Sequence, residues 1–186
     1  MQQLAQLKTL ITSDPARMRI LRLVRDLGLP DCWVAAGFVR SAVWDHLHQR
    51  TRSPLPPDID VIWFDAKRAG VEVDEGIEAA LRSRDDSLDW SVKNQARMHL
   101  RNADQPYSSA TDAMTRWPET ATAVAIRLGA EGELEVAAPF GLGDLFNLVV
   151  RPTARFQAEK HPIYLDRLRS KDWLAKWPNL EVLAAD

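Results

Sequence analysis

The chain has 186 residues, 46% of them apolar, and its 24 basic and 26 acidic side chains leave a net charge of −2. That composition supports one well-filled core and excludes a disordered chain or a strongly basic body built for tight, extended polynucleotide binding. A single cysteine, Cys32, excludes an internal disulfide, and the opening "MQQLAQLKTLITSDPAR" lacks the basic-then-apolar order of a signal peptide, so a cytoplasmic protein is expected.

Asp14 and Pro15 open a helix over 15–27, closed by Gly28 and Pro30, with Ile20, Val24 and Leu27 on one face. "CWVAAG" (32–37) predicts a short buried strand ending on a glycine, and the spacing of Val39, Ala42, Val43 and Leu47 predicts a helix from Phe38 to Gln49. The proline-rich "RTRSPLPP" is a loop. "DIDVIWF" (58–64) predicts a strand, since Ile, Val, Trp and Phe suit a buried pleated surface. A helix follows over 74–84, then a strand at 87–92 and a helical or irregular "NQARMHLRN". Residues 104–118 form loop plus one helix. The stretch 120–128 is β-rich, "AEGE" turns, and "LEVAA" pairs back as a hairpin. "GLGDLFNLVV" predicts a helix stopped by Pro152, and "PIYLDRLRSKDWLAKW" a last helix ending before Pro178. Strands and helices mix without a strict βαβ rhythm, so the expected fold is α+β around a mixed sheet. One domain is expected, with a core over about 15–140 and a C-terminal helical segment over 141–186.

The chemistry concentrates in "PPDIDVIWFD". Residues two apart on a strand face the same way, about 6.5–7 Å apart, so Asp58 and Asp60 project together. Two carboxylates on one face repel unless a cation lies between them, and a divalent ion such as Mg²⁺, or Mn²⁺ in its place, is that cation. Asp89 in "SLDWSV" is the candidate third carboxylate, with Ser91 and Lys93 on its face. The bland alternative is a polar loop that simply leads into a buried strand. Upstream, the strand ending at Gly37 turns at once into a helix. That arrangement leaves backbone N–H groups free at Gly37 and Phe38 for a phosphate, with Arg40 one turn further on. A tight turn with a solvated arginine is the plainer reading of those residues alone.

Strand, glycine, helix carrying arginine, loop and Asp-x-Asp strand together resemble the DNA polymerase beta-like nucleotidyltransferases. "AAGFVR" and "DIDVI" are similar to the Gly-Gly-x-Val-Arg and Asp-x-Asp segments of tRNA CCA-adding enzymes. More closely, "WVAAGFVRSAVWDHLH", "PPDIDVIWFD", "DWSVKNQARMH" and "KDWLAKWPNLEV" resemble a family of small bacterial nucleotidyltransferase-like proteins of unassigned substrate, over about residues 15–182. The resemblance implies a palm-like sheet, a nucleoside triphosphate donor and Mg²⁺. It puts Gly37 at the phosphate turn, Asp58 and Asp60 on the metal, and Asp89 only at the expected place of a third ligand. Two residues depart from the CCA-adding pattern: Ala36 replaces the first glycine, and Ser41 replaces an acidic residue. The loop before Asp58 is also longer than in those enzymes.

Lys93 and Arg97 are further candidates for contacting triphosphate or acceptor, or else form a solvated polar end. His46 and His48, two apart on a helix, do not share a face and argue against zinc. Cys32 reads as a small core residue, and Trp173 and Trp177, four apart, as a staple of the last helix to the body. The expected activity is transfer of a nucleoside monophosphate to a hydroxyl with release of pyrophosphate, the acceptor being a small molecule, a protein or an RNA end. The alternative is a catalytically inactive nucleotide- or protein-binding module on the same scaffold.

Overall fold

The computed structural model describes residues 1–183; the last three positions of the C-terminal segment, 184–186, lie outside the described residues. The order is α1 (Gln2–Thr12), α2 (Pro15–Arg25), β1 (Trp33–Ala35), α3 (Gly37–Leu47), β2 (Asp58–Trp63), a short 3-10 turn, α4 (Val71–Arg84), β3 (Asp89–Asn94), α5 (Gln95–Asn102) and α6 (Ala110–Met114). It continues with β4 (Ala125–Leu128), β5 (Leu134–Ala137), α7 (Gly143–Phe146), β6 (Val149–Val150), α8 (Ala154–Gln157), α9 (His161–Lys171), α10 (Trp173–Lys176) and β7 (Glu181–Val182). Five strands form a mixed sheet in the order β3-β2-β1-β4-β5, and β6 and β7 form a small separate ribbon. Only β2 and β3, joined through α4, run parallel within the large sheet; its other neighbours are antiparallel. The fold is α+β.

Alternation along the strands divides the sheet into two faces. Val34, Ile59, Val61, Trp63, Val92 and Ile126 enter the large core, which α1 to α4 cover with residues such as Leu7, Ile20, Val39 and Leu81. Trp33, Ala35, Ile62, Ala125 and Ala137 point the other way into a smaller cluster. Asp58 and Asp60 share the parity of Ile62 and so lie on this second face.

Two buried polar knots fix the elements around the site. Asp74 of α4, 1% exposed, accepts from the Trp63 indole at 2.7 Å and from the Asn94 backbone N–H, and pairs with Arg97. One carboxylate thus locks α4 and α5 to the ends of β2 and β3. Arg17, also 1% exposed, pairs with Asp14, which caps α2 as expected through the N–H groups of Ala16 and Arg17. Its remaining donors go to the Phe38 carbonyl at 3.1 Å and to Ser53 and Pro54 at 3.1–3.3 Å. The proline loop is therefore tied down to the first turn of α3.

Four stretches differ from the sequence reading. α1 was not anticipated; Leu7 and Ile11, four apart, are its fully buried positions. In 120–128 only Ala125–Leu128 is strand, because Thr122, Ala123 and Val124 curl back to hydrogen-bond Glu119, Thr120 and Thr122. The helix expected over 141–150 stops at Phe146: Leu148 takes φ 59, and Val149–Val150 pair with β7. The expected last helix is broken at Asp172, whose φ of 44 turns α9 into α10. The expected docking of Trp173 and Trp177 is present: both pack edge-on against the buried Trp44 of α3, with ring centres 5.6 and 5.1 Å away. No helix among the described residues is long and apolar enough to cross a membrane.

Replacing Arg17 by Met removes the clamp while keeping its bulk, leaving Asp14 and four backbone or hydroxyl acceptors short of a donor. The expected loss is about 3–5 kcal/mol in urea unfolding; a loss below about 1 kcal/mol would mean that water replaces these bonds freely.

Candidate active site

Sheet register gathers the candidate residues. β1 pairs Trp33 with Ile62 and Val34 with Val61; one more step sets Ala35 level with Asp60. The turn at Ala36 and Gly37 therefore opens beside the Asp-x-Asp. On the other side, Asp89 lies level with Asp58 and Ser91 with Asp60. Lys93 is level with Ile62 instead, four residues and about 13 Å beyond Asp89. There its ammonium meets Glu78 at 3.1 Å, as Arg97 meets Asp74. The structure does not bring Lys93 or Arg97 to the aspartate end of the strands.

Asp58 and Asp60 are half-buried, and neither carboxylate has a hydrogen-bond or ion-pair partner among the described residues. Burial first, and the Asp58 charge second, push the Asp60 carboxyl up to about 6; Arg40, Lys171 and Arg167 pull it down. Two unpartnered carboxylates on one face are a donor set that fits a hard divalent cation, whose charge would offset both burial and repulsion. Among the described residues no group of three His, Cys, Asp or Glu side chains is gathered to hold a metal. Asp89 is exposed at the start of the edge strand, level with the pair without joining it.

The glycine turn has its own geometry. Ala36 takes φ 54 and ψ −119, the conformation at the first central position of a type II′ turn, which suits glycine. Its carbonyl accepts from the N–H groups of Val39 and Arg40 at 3.1 and 2.9 Å. The N–H groups of Gly37 and Phe38 find no partner among the described residues, so both are available to an anion. A Cβ added to Gly37 would meet Pro56 at 3.5 Å and Arg40 Nη2 at 3.6 Å. Arg40 and the proline loop thus wall the turn closely.

Arg40 is not a solvated surface cation. Only 7% exposed, it donates through Nη1 to Thr122 Oγ1 at 3.0 Å and lies over the rings of Trp44 and Trp173, 5.1 and 4.6 Å from their centres. Burial lowers its pKa to about 10, while the charge of Glu119 works to keep it protonated. Glu119 itself is fully buried and pairs with Arg167 of α9 at 2.6 Å. Sequence reasoning missed Glu119 and Arg167. Glu119 sits in a loop with no periodic signal, and Arg167 is one of several cations in "LDRLRSK"; only the fold selects it.

The remaining candidates have structural roles. Burial pushes the Cys32 thiol up to about 12, so it is not a nucleophile at neutral pH. His48 is bonded to the Trp44 carbonyl and the Asn179 N–H, while His46 meets Gln6, so the two rings go separate ways.

A nucleotidyltransferase family model matches residues 22–182. An NMR structure described as revealing a CCA-adding enzyme head domain is 37% identical, with 96% of this chain and 95% of that one aligned at a TM-score of 0.86. The Thermotoga maritima CCA-adding enzyme complexed with tRNA is 19% identical, with 95% of this chain and 42% of that one aligned at 0.60. A tRNA nucleotidyltransferase complexed with a primer tRNA and an incoming ATP analogue is 20% identical, with 89% and 47% aligned at 0.56. The chain therefore spans less than half the length of those two enzymes, and the likeness to them is one of fold. No curated protein matches the chain.

Two stability measurements test the electrostatics and the turn. Because the folded Asp60 pKa of about 6 lies above the ordinary 3.8, the stability it contributes is complete below the lower value and lost as pH rises through the upper one. Asp60→Asn should therefore stabilise the metal-free protein by about 2 kcal/mol at pH 7.5, an advantage that fades toward pH 4; a pH-independent difference would refute this origin. Ala36→Gly should relieve the positive φ and raise stability by about 1 kcal/mol, less the glycine entropy cost. Chemical denaturation of both variants reads these values.

Proposed function

The chain belongs to the nucleotidyltransferase family and has the polymerase beta-like nucleotidyltransferase fold, and from that premise we propose that it transfers a nucleoside monophosphate from a nucleoside triphosphate to a hydroxyl group in a divalent-metal-dependent reaction. One observation carries the reading. The β1–β2 register sets a turn with two unpartnered N–H groups beside two unpartnered, same-facing carboxylates. An anion site beside a cation site suits a metal-bound polyphosphate.

Each residue then has a task. The N–H groups of Gly37 and Phe38 donate to phosphate oxygens at the start of α3, and Arg40 Nη2, beside that turn, adds a charged donor. Asp58 and Asp60 hold Mg²⁺ or Mn²⁺. When bound, the cation supplies charge that stabilises both the attacking and the leaving oxygen. The acceptor hydroxyl approaches from the open edge, where exposed Asp89 orients it and receives its proton. The new bond forms between the acceptor oxygen and the α-phosphorus, and the bond from that phosphorus to the bridging oxygen breaks, releasing pyrophosphate. Enzymes that share the fold, CCA-adding enzymes in complex with CTP and with tRNA and a tRNA nucleotidyltransferase with an ATP analogue, support a nucleotide as the donor.

Calorimetry with non-hydrolysable analogues of ATP and CTP, with and without Mg²⁺, tests this. Metal-dependent binding is expected, weakened at least about tenfold by Asp60→Asn. Gly37→Ala should also weaken it while leaving the melting temperature near wild type, because its Cβ makes only ordinary contacts. A folded wild-type protein that binds neither analogue would end the catalytic reading and favour an inactive scaffold.

A further inference from the structure

The C-terminal segment contains an arrangement that neither the Asp-x-Asp nor the Gly37 turn requires. Arg167 and Lys171, four apart, share one face of α9. Arg167 is fixed on two sides. Its Nε donates to the buried Glu119 carboxylate at 2.6 Å, and its guanidinium lies 5.6 Å from the centre of the Trp173 ring. Arg40 stands 4.6 Å from the same ring. One indole is therefore flanked by two guanidiniums, with a fully buried carboxylate behind them.

The anchoring is costly in itself. Glu119 is 0% exposed, and its second oxygen, like Arg40 Nε, is buried without a hydrogen-bond partner among the described residues. The loop that carries Glu119 is held by a bridge to Pro152 and by the Thr120 N–H bond to the Arg151 carbonyl at 3.0 Å. A merely stabilising ion pair would not need a rigid, half-satisfied acid beneath a partly open arginine. The Nη edge of Arg167 has no partner among the described residues, and neither has the Lys171 ammonium. Arg40, whose Nη2 borders the Gly37 turn, shares the Trp173 ring with Arg167, so that turn and α9 are neighbours.

We propose that α9 forms the second wall of the triphosphate pocket, with the Nη edge of Arg167 and the Lys171 ammonium taking oxygens of the β- and γ-phosphates, and with Glu119 as the positioning residue that aims Arg167. This rests on the donor being a nucleoside triphosphate, and it adds that the polyphosphate tail is held between the glycine turn and a helix from the C-terminal segment. A planar guanidinium locked by a carboxylate and an indole presents its free edge at a fixed angle, which suits bidentate contact with phosphate.

The probe is inorganic tripolyphosphate with Mg²⁺, compared with inorganic phosphate, titrated calorimetrically into the full chain. Wild type should prefer tripolyphosphate. The double variant Glu119→Gln/Arg167→Gln removes both partners of the ion pair at once, and should lose about tenfold or more of that preference. Lys171→Ala, at an exposed position, should lose a smaller part with an unchanged melting curve. Glu119→Gln alone, which keeps the arginine but frees its angle, should fall between wild type and the double variant, and Arg167→Lys should restore part of what Arg167→Gln loses. Tripolyphosphate binding that is unchanged in the folded double variant and in Lys171→Ala would overturn the second wall and leave the nucleotidyltransferase reading standing. No Mg²⁺-dependent binding of tripolyphosphate by wild type would remove both.

Discussion

Two like charges on one face of a half-buried strand are the constraint around which this molecule is arranged. Among the described residues nothing neutralises Asp58 or Asp60 directly. Compensation comes at one remove, from Arg40, Lys171 and Arg167, which lower the Asp60 proton affinity without bonding to it. Direct salt bridges would satisfy the carboxylates and block them. A surrounding field keeps them ionisable and free, which is the condition a metal-binding pair needs.

Holding such a field requires burying cations, and the aromatic residues make that possible. Arg40 and Arg167 flank Trp173, Arg40 also covers Trp44, and Trp177 closes the stack while its indole donates to buried Asp45 at 2.8 Å. Indole faces accept a guanidinium without demanding a hydrogen bond, so together with the single carboxylate of Glu119 they keep both cations under cover. The same stack docks the C-terminal helices onto α3, so packing and electrostatics are one device.

The sequence displayed the strongly local parts of this design. Asp14 with Pro15, the β-branched run after Asp60 and the turn at Gly37 each carry their own signal, and the structure places those elements at Pro15–Arg25, Asp58–Trp63 and Gly37–Leu47. It concealed whatever depends on distant pairing. Val149 and Val150 read as helix because their strand partners, Glu181 and Val182, lie some thirty residues away. The break at Asp172 is likewise set by where Trp173 must dock. Lys93 looked like a site residue because parity put it on the right face; distance along the strand put it at the wrong end. The partnership of Glu119 with Arg167, 48 residues apart, has no local signature at all.

The docking of Trp173 and Trp177 on Trp44 also imposes an order in time. Asp58, Asp60 and the glycine turn emerge early from the ribosome, yet the cations that temper their charge include two on α9, and the indole that seats Arg40 comes later still. Until about residue 177 is available, the growing chain carries an acidic strand and a buried-destined arginine without their counterparts. The sheet can form first, but the pocket is completed last, by the part of the chain that follows it. A shortened product that keeps the entire Asp-x-Asp sheet would therefore resemble the protein in fold while lacking the environment that makes its carboxylates usable.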